Sequence, residues 1–217
     1  SVPALVKVAD DQSPIVRRLA VETLGGIGEP ASGAVPSLAA KLQDPDEFVR
    51  RAAAYALGRM GAAAKSAIRA LRANLQDTSG TVRAAAAVAL VRVDALALEA
   101  IPTLVAAISR EPGQEIAYIE VCVAAPEISP AAVPAVLEFV KAAPVAGASS
   151  WDQEKTWRLR RGALDLLGRM GTNAQSALPA LRQLANQPGN ESWRRETTEA
   201  LQQIELQAVQ ESSKQSR

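Results

Sequence analysis

The stretch Ala34 to Gly61, AVPSLAAKLQDPDEFVRRAAAYALGRMG, decides the fold, because close copies of it recur on both sides along the chain. It divides into two helical halves. Pro36 suits the first turn of a helix, where its fixed φ fits and its missing N–H has no intrahelical partner to lose. Val35, Leu38, Ala39 and Leu42 follow at helical spacing on one side. Asp44-Pro45-Asp46 stops this helix and starts the next, since proline disfavours the α conformation before it and aspartate caps free N–H groups. From Phe48, the apolar set Val49, Ala52, Ala53, Ala56, Leu57 and Met60 keeps spacings of three and four, and Gly61 permits a left-handed cap.

The opening motif recurs at Val2-Pro3-Ala4-Leu5, Val35-Pro36, Ile68-Arg69, Ile101-Pro102, Val133-Pro134 and Leu178-Pro179, in steps of 33, 33, 33, 32 and 45 residues. Second-helix starts follow at Val16, Val49, Val82, Ile116, Leu159 and Trp193. Eight places beyond each stand Leu24, Leu57, Leu90, Ala124, Leu167 and Leu201. One helical pair cannot bury its apolar stripe alone, so a fixed period of this size marks a solenoid whose units touch adjacent units.

The pattern D-x-x-x-x-V-R followed by A-x-x-A-L-G resembles the HEAT repeat, especially the short bacterial type also found in phycobilisome lyases, and covers Ser1 to Ile204. The resemblance implies an all-α, right-handed α-solenoid of about six HEAT-like hairpins, at about 1–33, 34–66, 67–99, 100–131, 132–176 and 177–204. Such repeats serve as scaffolds, adaptors, lyase subunits and a few nucleic-acid enzymes. An elongated array of this kind counts as one domain, with residues 205–217 expected to be a frayed helix end and a disordered tail. Because the chain opens inside the first turn of a repeat, further repeats or another domain are expected before residue 1, which the full-length gene would test.

Composition narrows the function classes. A net charge of +1 gives no general pull toward nucleic acid or an anionic membrane, and no apolar run reaches the length needed for membrane insertion. With no histidine there is no Ser-His-Asp triad and no His-Glu metal site. No phosphate loop occurs, so no cofactor, metal or catalytic residue is expected. Cys122, the single cysteine, excludes an internal disulfide and leaves the redox compartment open, with a cytoplasmic setting the expectation.

Repeat 4 is the least regular. Ile116, Ile119 and Val123 preserve a stripe, Glu120 falls where Ala20, Ala53 and Ala86 sit, and the register is open by one residue. Glu120 and Cys122 are read either as part of a distorted repeat or as a local site. Repeat 5 carries an insertion of about twelve residues, with a loop at about 143–153 read as a surface feature suited to binding. In repeat 6, Glu196 and Thr197 take positions occupied elsewhere by core residues, as expected of a terminal cap facing water.

Three groups could carry binding. Asp11, Asp44 and Asp77 stand six residues before Arg17, Arg50 and Arg83, with Arg160 and Arg194 continuing the arginine column. Recurrence in successive units favours a structural role, the carboxylate capping the second helix and the guanidinium bonding across to the neighbouring turn. In solenoids of this kind the second helices line the concave side. Arg18, Arg51, Tyr55, Arg59, Arg92, Tyr118, Arg161, Arg169 and Arg195 are therefore the expected groove residues, with Glu22, Asp165 and Glu199 able to pair with Arg18, Arg161 and Arg195 four places apart. Arginine and tyrosine commonly anchor interfaces, so a protein or acidic peptide is the expected partner.

The third group is Trp151, Trp157 and Trp193, with Asp152 beside the first and Trp151 as a loop contact. HEAT-like DNA glycosylases use aromatic residues and an aspartate around a nucleotide, but a balanced charge speaks against phosphate contacts, so no nucleic acid is expected. The preferred reading is a noncatalytic interaction scaffold. A bilin-lyase-type subunit is the alternative.

Overall fold

The computed structural model describes residues 1–109, 115–142, 149–187 and 191–215. Every regular element among them is helical, and none is both long and apolar enough to cross a membrane alone. The chain divides into two compact units, Ser1–Leu104 and Val105–Arg217.

The first unit stacks three hairpins: α1 (Val2–Val8) with α2 (Pro14–Ile27), α3 (Val35–Lys41) with α4 (Glu47–Met60), and α5 (Ile68–Asn74) with α6 (Gly80–Val93). α7 (Ile101–Ile108) begins in this unit and ends in the second. Short 3-10 segments at Glu29–Ala34 and Gly61–Ala67 join consecutive hairpins, and Gly61 takes a φ of +54°, the left-handed cap its position predicts. The leucines expected eight places into α2, α4 and α6, namely Leu24, Leu57 and Leu90, are fully buried.

Small residues let the second helices meet backbone to backbone. A Cβ placed on Gly25 of α2 would lie 2.8 Å from the Ala56 Cα of α4, and one on Gly58 would lie 3.0 Å from the Ala89 Cα of α6. On the same helix, Gly26 faces open space.

Arginine fixes the hairpin spacing from outside. Arg17 places Nε and one terminal N–H on the two oxygens of Asp44, each at 2.8 Å, and its other terminal nitrogen donates to the carbonyls of Asp11 and Gln12. Arg50 repeats the arrangement on Asp77, at 2.8 and 3.0 Å, with Asp44 and Pro45 supplying the carbonyls. The aspartates are not the helix caps that the sequence suggests. Each accepts the N–H two residues on, from Ser13, Asp46 or Ser79, which leaves the cap of α4 to Asp46. Burial alone would raise the carboxyls of Asp44 and Asp77, but the arginine fork and that N–H outweigh it, and both titrate below the ordinary carboxylate value.

The second unit contains the end of α7, then α8 (Glu115–Ala124), α9 (Val133–Lys141), α10 (Ser150–Met170), α11 (Leu178–Asn186) and α12 (Glu191–Gln215). Here the sequence reading needs correction. In α8 the buried set is Ala117, Val121 and Ala124, while Ile116, Ile119 and Val123 are 49%, 59% and 65% exposed, so the expected stripe is one register off. Residues 143–148 of the expected loop lie outside the described residues. Ser150 to Gln153 are helical, because Ser149 caps the N–H of Asp152 and starts α10 nine residues before the expected Leu159. Thr197 is buried with Ala200 and Ile204, whereas Leu201 is half-buried, so α12 turns a different face inward and does not present a polar cap there. α12 also runs helical past residue 204 to Gln215.

Two measurements check this account. Gly25→Ala should cost about 1–2 kcal/mol by overpacking against Ala56, while Gly26→Ala should be neutral or stabilising by about 0.5–1 kcal/mol through helix propensity; urea melts of the two variants read the difference. The lowered carboxyls of Asp44 and Asp77 contribute stability that is complete above the unfolded carboxylate pKa of about 4 and is lost as pH falls through the lower folded values. Thermal melts should therefore drop below about pH 4, and the double variant Asp44→Asn with Asp77→Asn should start lower at neutral pH and fall less on acidification.

Candidate functional site

The expected groove residues divide into those locked by neighbours and those left open. In the first unit, Arg59 donates from Nε to the carbonyl of Gly25 at 2.9 Å and ties α4 to α2. Arg92 lays its stem beside Gly58. Arg18 sits 3.8 Å from Glu22, the expected helical pair. Arg51, half-buried, makes no hydrogen bond or ion pair among the described residues, and Tyr55, one turn further on, is exposed. At the first turns of α2 and α4, exposed Ile15 and Phe48 flank a shallow cleft of about 190 Å³ with Arg18 and Asp46.

In the second unit, Arg169 donates from Nε to Asp165 at 2.8 Å and from a terminal nitrogen to the Tyr118 hydroxyl at 2.8 Å. Its guanidinium also lies 5.5 Å from the Tyr118 ring centre. Burial pulls this guanidinium's pKa down, but the Asp165 carboxylate, with Cys122 and Tyr118 nearby, more than offsets it and the net shift is upward. Asp165 is thereby taken from Arg161, correcting the expected Arg161–Asp165 pair. Arg161 is exposed and, among the described residues, without a hydrogen bond or ion pair. Arg195 is exposed and lies 3.6 Å from Glu199, as the helical spacing predicts.

The tryptophans are used for packing. Trp157 of α10 stacks on Trp193 of α12 with ring centres 4.0 Å apart and planes 13° from parallel, and the Arg160 guanidinium lies 4.7 Å from the centre of the Trp193 ring. This is an internal stack, not an open aromatic cage. Trp151 is on the first turn of α10, not on a loop; it is exposed, with the Arg158 guanidinium 5.3 Å from its ring centre. Asp152 accepts from the Ser149 hydroxyl at the same helix start.

Arg160 occupies the column of Arg17 and Arg50 without their partners. The residue 27 places on is Gln187 instead of aspartate. Because α10 starts so far upstream, the carbonyls that serve Arg17 and Arg50 are here part of a helix. Arg160 is buried, its Nε has no hydrogen-bond partner, and desolvation pushes its pKa down.

Beside this stack lies a groove of about 450 Å³ bounded by the end of α7, α10 and α12, lined by Ser109, Arg158, Arg161, Glu196, Glu199 and Gln203 among others. Two of its polar atoms, Arg158 Nε and Glu196 Oε2, are buried without a hydrogen-bond partner. The sequence reading named Arg161 and Arg169, took Glu196 for part of a water-facing cap, and missed Arg158 and Gln203. One signal was available: Gly162 interrupts α10 where Leu19, Ala52 and Ala85 stand in the first three repeats, and a Cβ there would collide with Ser109 and the Val105 carbonyl.

Residues 2–91 match the family described as HEAT repeats. Among solved structures, the chain is similar to yeast importin-β, with a TM-score of 0.54 and 14% identity over 95% of this chain and 30% of that one. It is similar to the complex of CpcE and CpcF of phycocyanin lyase from Nostoc sp., with a TM-score of 0.51 and 22% identity over 98% of this chain and 94% of that one. A designed armadillo repeat protein matches with a TM-score of 0.50 and 19% identity over 94% of this chain and all of the other (100%). No curated protein matches the chain. At these identities the likeness is one of fold: an all-α solenoid of HEAT or armadillo type.

Replacing Arg50 by methionine should strand Asp77 and cost about 2 kcal/mol, less than the roughly 3–5 kcal/mol of a fully buried pair because both groups keep some contact with water. Arg160→Met strands no carboxylate and loses only the contact with Trp193, so it should cost less than about 1 kcal/mol, as denaturant melts would show.

Proposed function

We propose that the chain is a noncatalytic interaction module that takes an acidic segment of a protein partner on second-helix side chains, in either unit taken by itself. The observation that carries this reading is the pair Arg51 and Arg161. Both stand one place after the column arginines, and among the described residues neither makes a hydrogen bond or ion pair, not even Arg51 with Glu47 four places before it. An unpaired guanidinium offers a planar, forked donor pair to a carboxylate, so the rotamer freedom lost on binding is spread over two hydrogen bonds. Tyr55, one turn beyond Arg51, adds the kind of amphipathic surface that anchors interfaces. The solved importin-β structures include a complex with Nup1, so a protein partner can be held on a fold of this kind.

The likeness to the CpcE–CpcF complex raises the second reading, a bilin-lyase-type subunit. It rests on the repeat alone. A bilin titrated into the protein without a change in its absorbance spectrum would dispose of it.

Fluorescently labelled twelve-residue peptides rich in aspartate and glutamate should bind at micromolar concentration and weaken in salt, while lysine-rich peptides of the same length should not bind. The double variant Arg51→Glu with Arg161→Glu should reduce binding at least about tenfold with an unchanged circular dichroism spectrum. Equal affinity for acidic and basic peptides, or no loss in the double variant, would overturn the reading.

A further inference from the structure

The groove in the second unit has a built opening. In the first unit, glycines set the second helices against each other at Ala56 and Ala89, and no space remains between them there. In the second unit Gly168, the counterpart of Gly58 in the repeated LGRMG sequence, faces the side chain of Gln203, and Gly171 faces that of Gln207. Gln203 of α12 therefore stands where the backbone of Ala89 stands in the first unit. The cavity of about 450 Å³ lies within the size range of ligand pockets.

The chemistry of the cavity wall is incomplete in a particular way. Asp165 is taken by Arg169, and Glu199 faces Arg195. Of the charged groups three remain: the exposed guanidinium of Arg161, the buried N–H at Arg158 Nε, and the buried carboxylate oxygen Glu196 Oε2. Glu196 has only the offset guanidinium of its neighbour Arg195, at 3.7 Å, and Arg158 has Glu154 at 3.8 Å without a hydrogen bond from its Nε. A buried donor and a buried acceptor left unpaired cost stability until something supplies the complement. The complement of an N–H and a carboxylate oxygen is an amide group, and the complement of Arg161 is a carboxylate.

We infer that this groove is a binding site for a peptide carboxylate with its adjoining amide, the carboxylate on Arg161, the amide N–H on Glu196 Oε2 and the amide carbonyl on Arg158 Nε. The inference rests on the interaction-module reading above and narrows it to one place in the chain. The carboxylate can come from an acidic side chain within a segment or from a free chain end, and both present the same atoms.

The test uses the full chain, labelled with ¹⁵N, and two short peptides. One carries internal aspartate with an amidated end, and the other has no acidic side chain and a free carboxyl end. Binding of either should shift the amide resonances of Arg158, Arg161, Gly162, Glu196 and Glu199, and the stronger of the two identifies the source of the carboxylate. Arg161→Glu should weaken that peptide about tenfold, while Arg182→Glu, a charge reversal on α11, should leave affinity within about twofold. If acidic peptides bind but shift only resonances of α2 and α4, the groove inference fails and the module reading stands. If neither peptide binds anywhere on the chain, both fail.

Discussion

Backbone contact between consecutive second helices, made where Gly25 meets Ala56 and Gly58 meets Ala89, is the constraint from which the other features follow. Alanine-rich helices have little side-chain volume with which to fill a gap, so they gain packing only by coming close, and close approach requires a residue without a side chain at the crossing. Once the helices are that near, the arginine of one hairpin reaches the aspartate of the next with both forks in register, as Arg17 does on Asp44 and Arg50 on Asp77. The same closeness leaves no space at those crossings, and the cleft beside α2 and α4 is confined to their first turns. Binding surface in the first unit is therefore the outward row of side chains, whereas in the second unit the interposed glutamines open a recess.

Much of this was legible because the repeat is strict where packing is strict. In the first unit the buried leucines and the cross-linking role of Arg17 and Arg50 were readable, since each copy confirms the others. Apart from the caps assigned to Asp11, Asp44 and Asp77, failures fell where a copy departs from the rest. In α8, with no alanine row to fix the phase, both Ile116, Ile119, Val123 and Ala117, Val121, Ala124 satisfy helical spacing, and the packing chose the smaller set. Upstream of Leu159, the expected loop stopped at Ser149 because a capped start with a good helix-forming sequence extends α10 by more than two turns. That extension dissolves the turn which supplies carbonyls to the arginine column, and it explains why Arg160 packs on Trp193 instead of making a fork.

The candidate groove was harder to read because its character lies in what is missing from pairs, and pairing depends on competition. Arg161 and Arg169 stand at equal helical distance from Asp165. Sequence spacing gives no reason to prefer one, but only Arg169 can also reach the Tyr118 hydroxyl, and that second bond decides the competition. The loser is left as an open cation on a chain whose charges otherwise nearly balance at +1. With so small a net charge there is little long-range field to draw a partner in, and exposed charges more than about 8 Å apart are screened from each other at physiological salt. Recognition by such a molecule has to come at short range from individual unpaired groups. A surface on which most charges are internally satisfied then becomes selective, because a partner gains free energy only where it meets the few that are not.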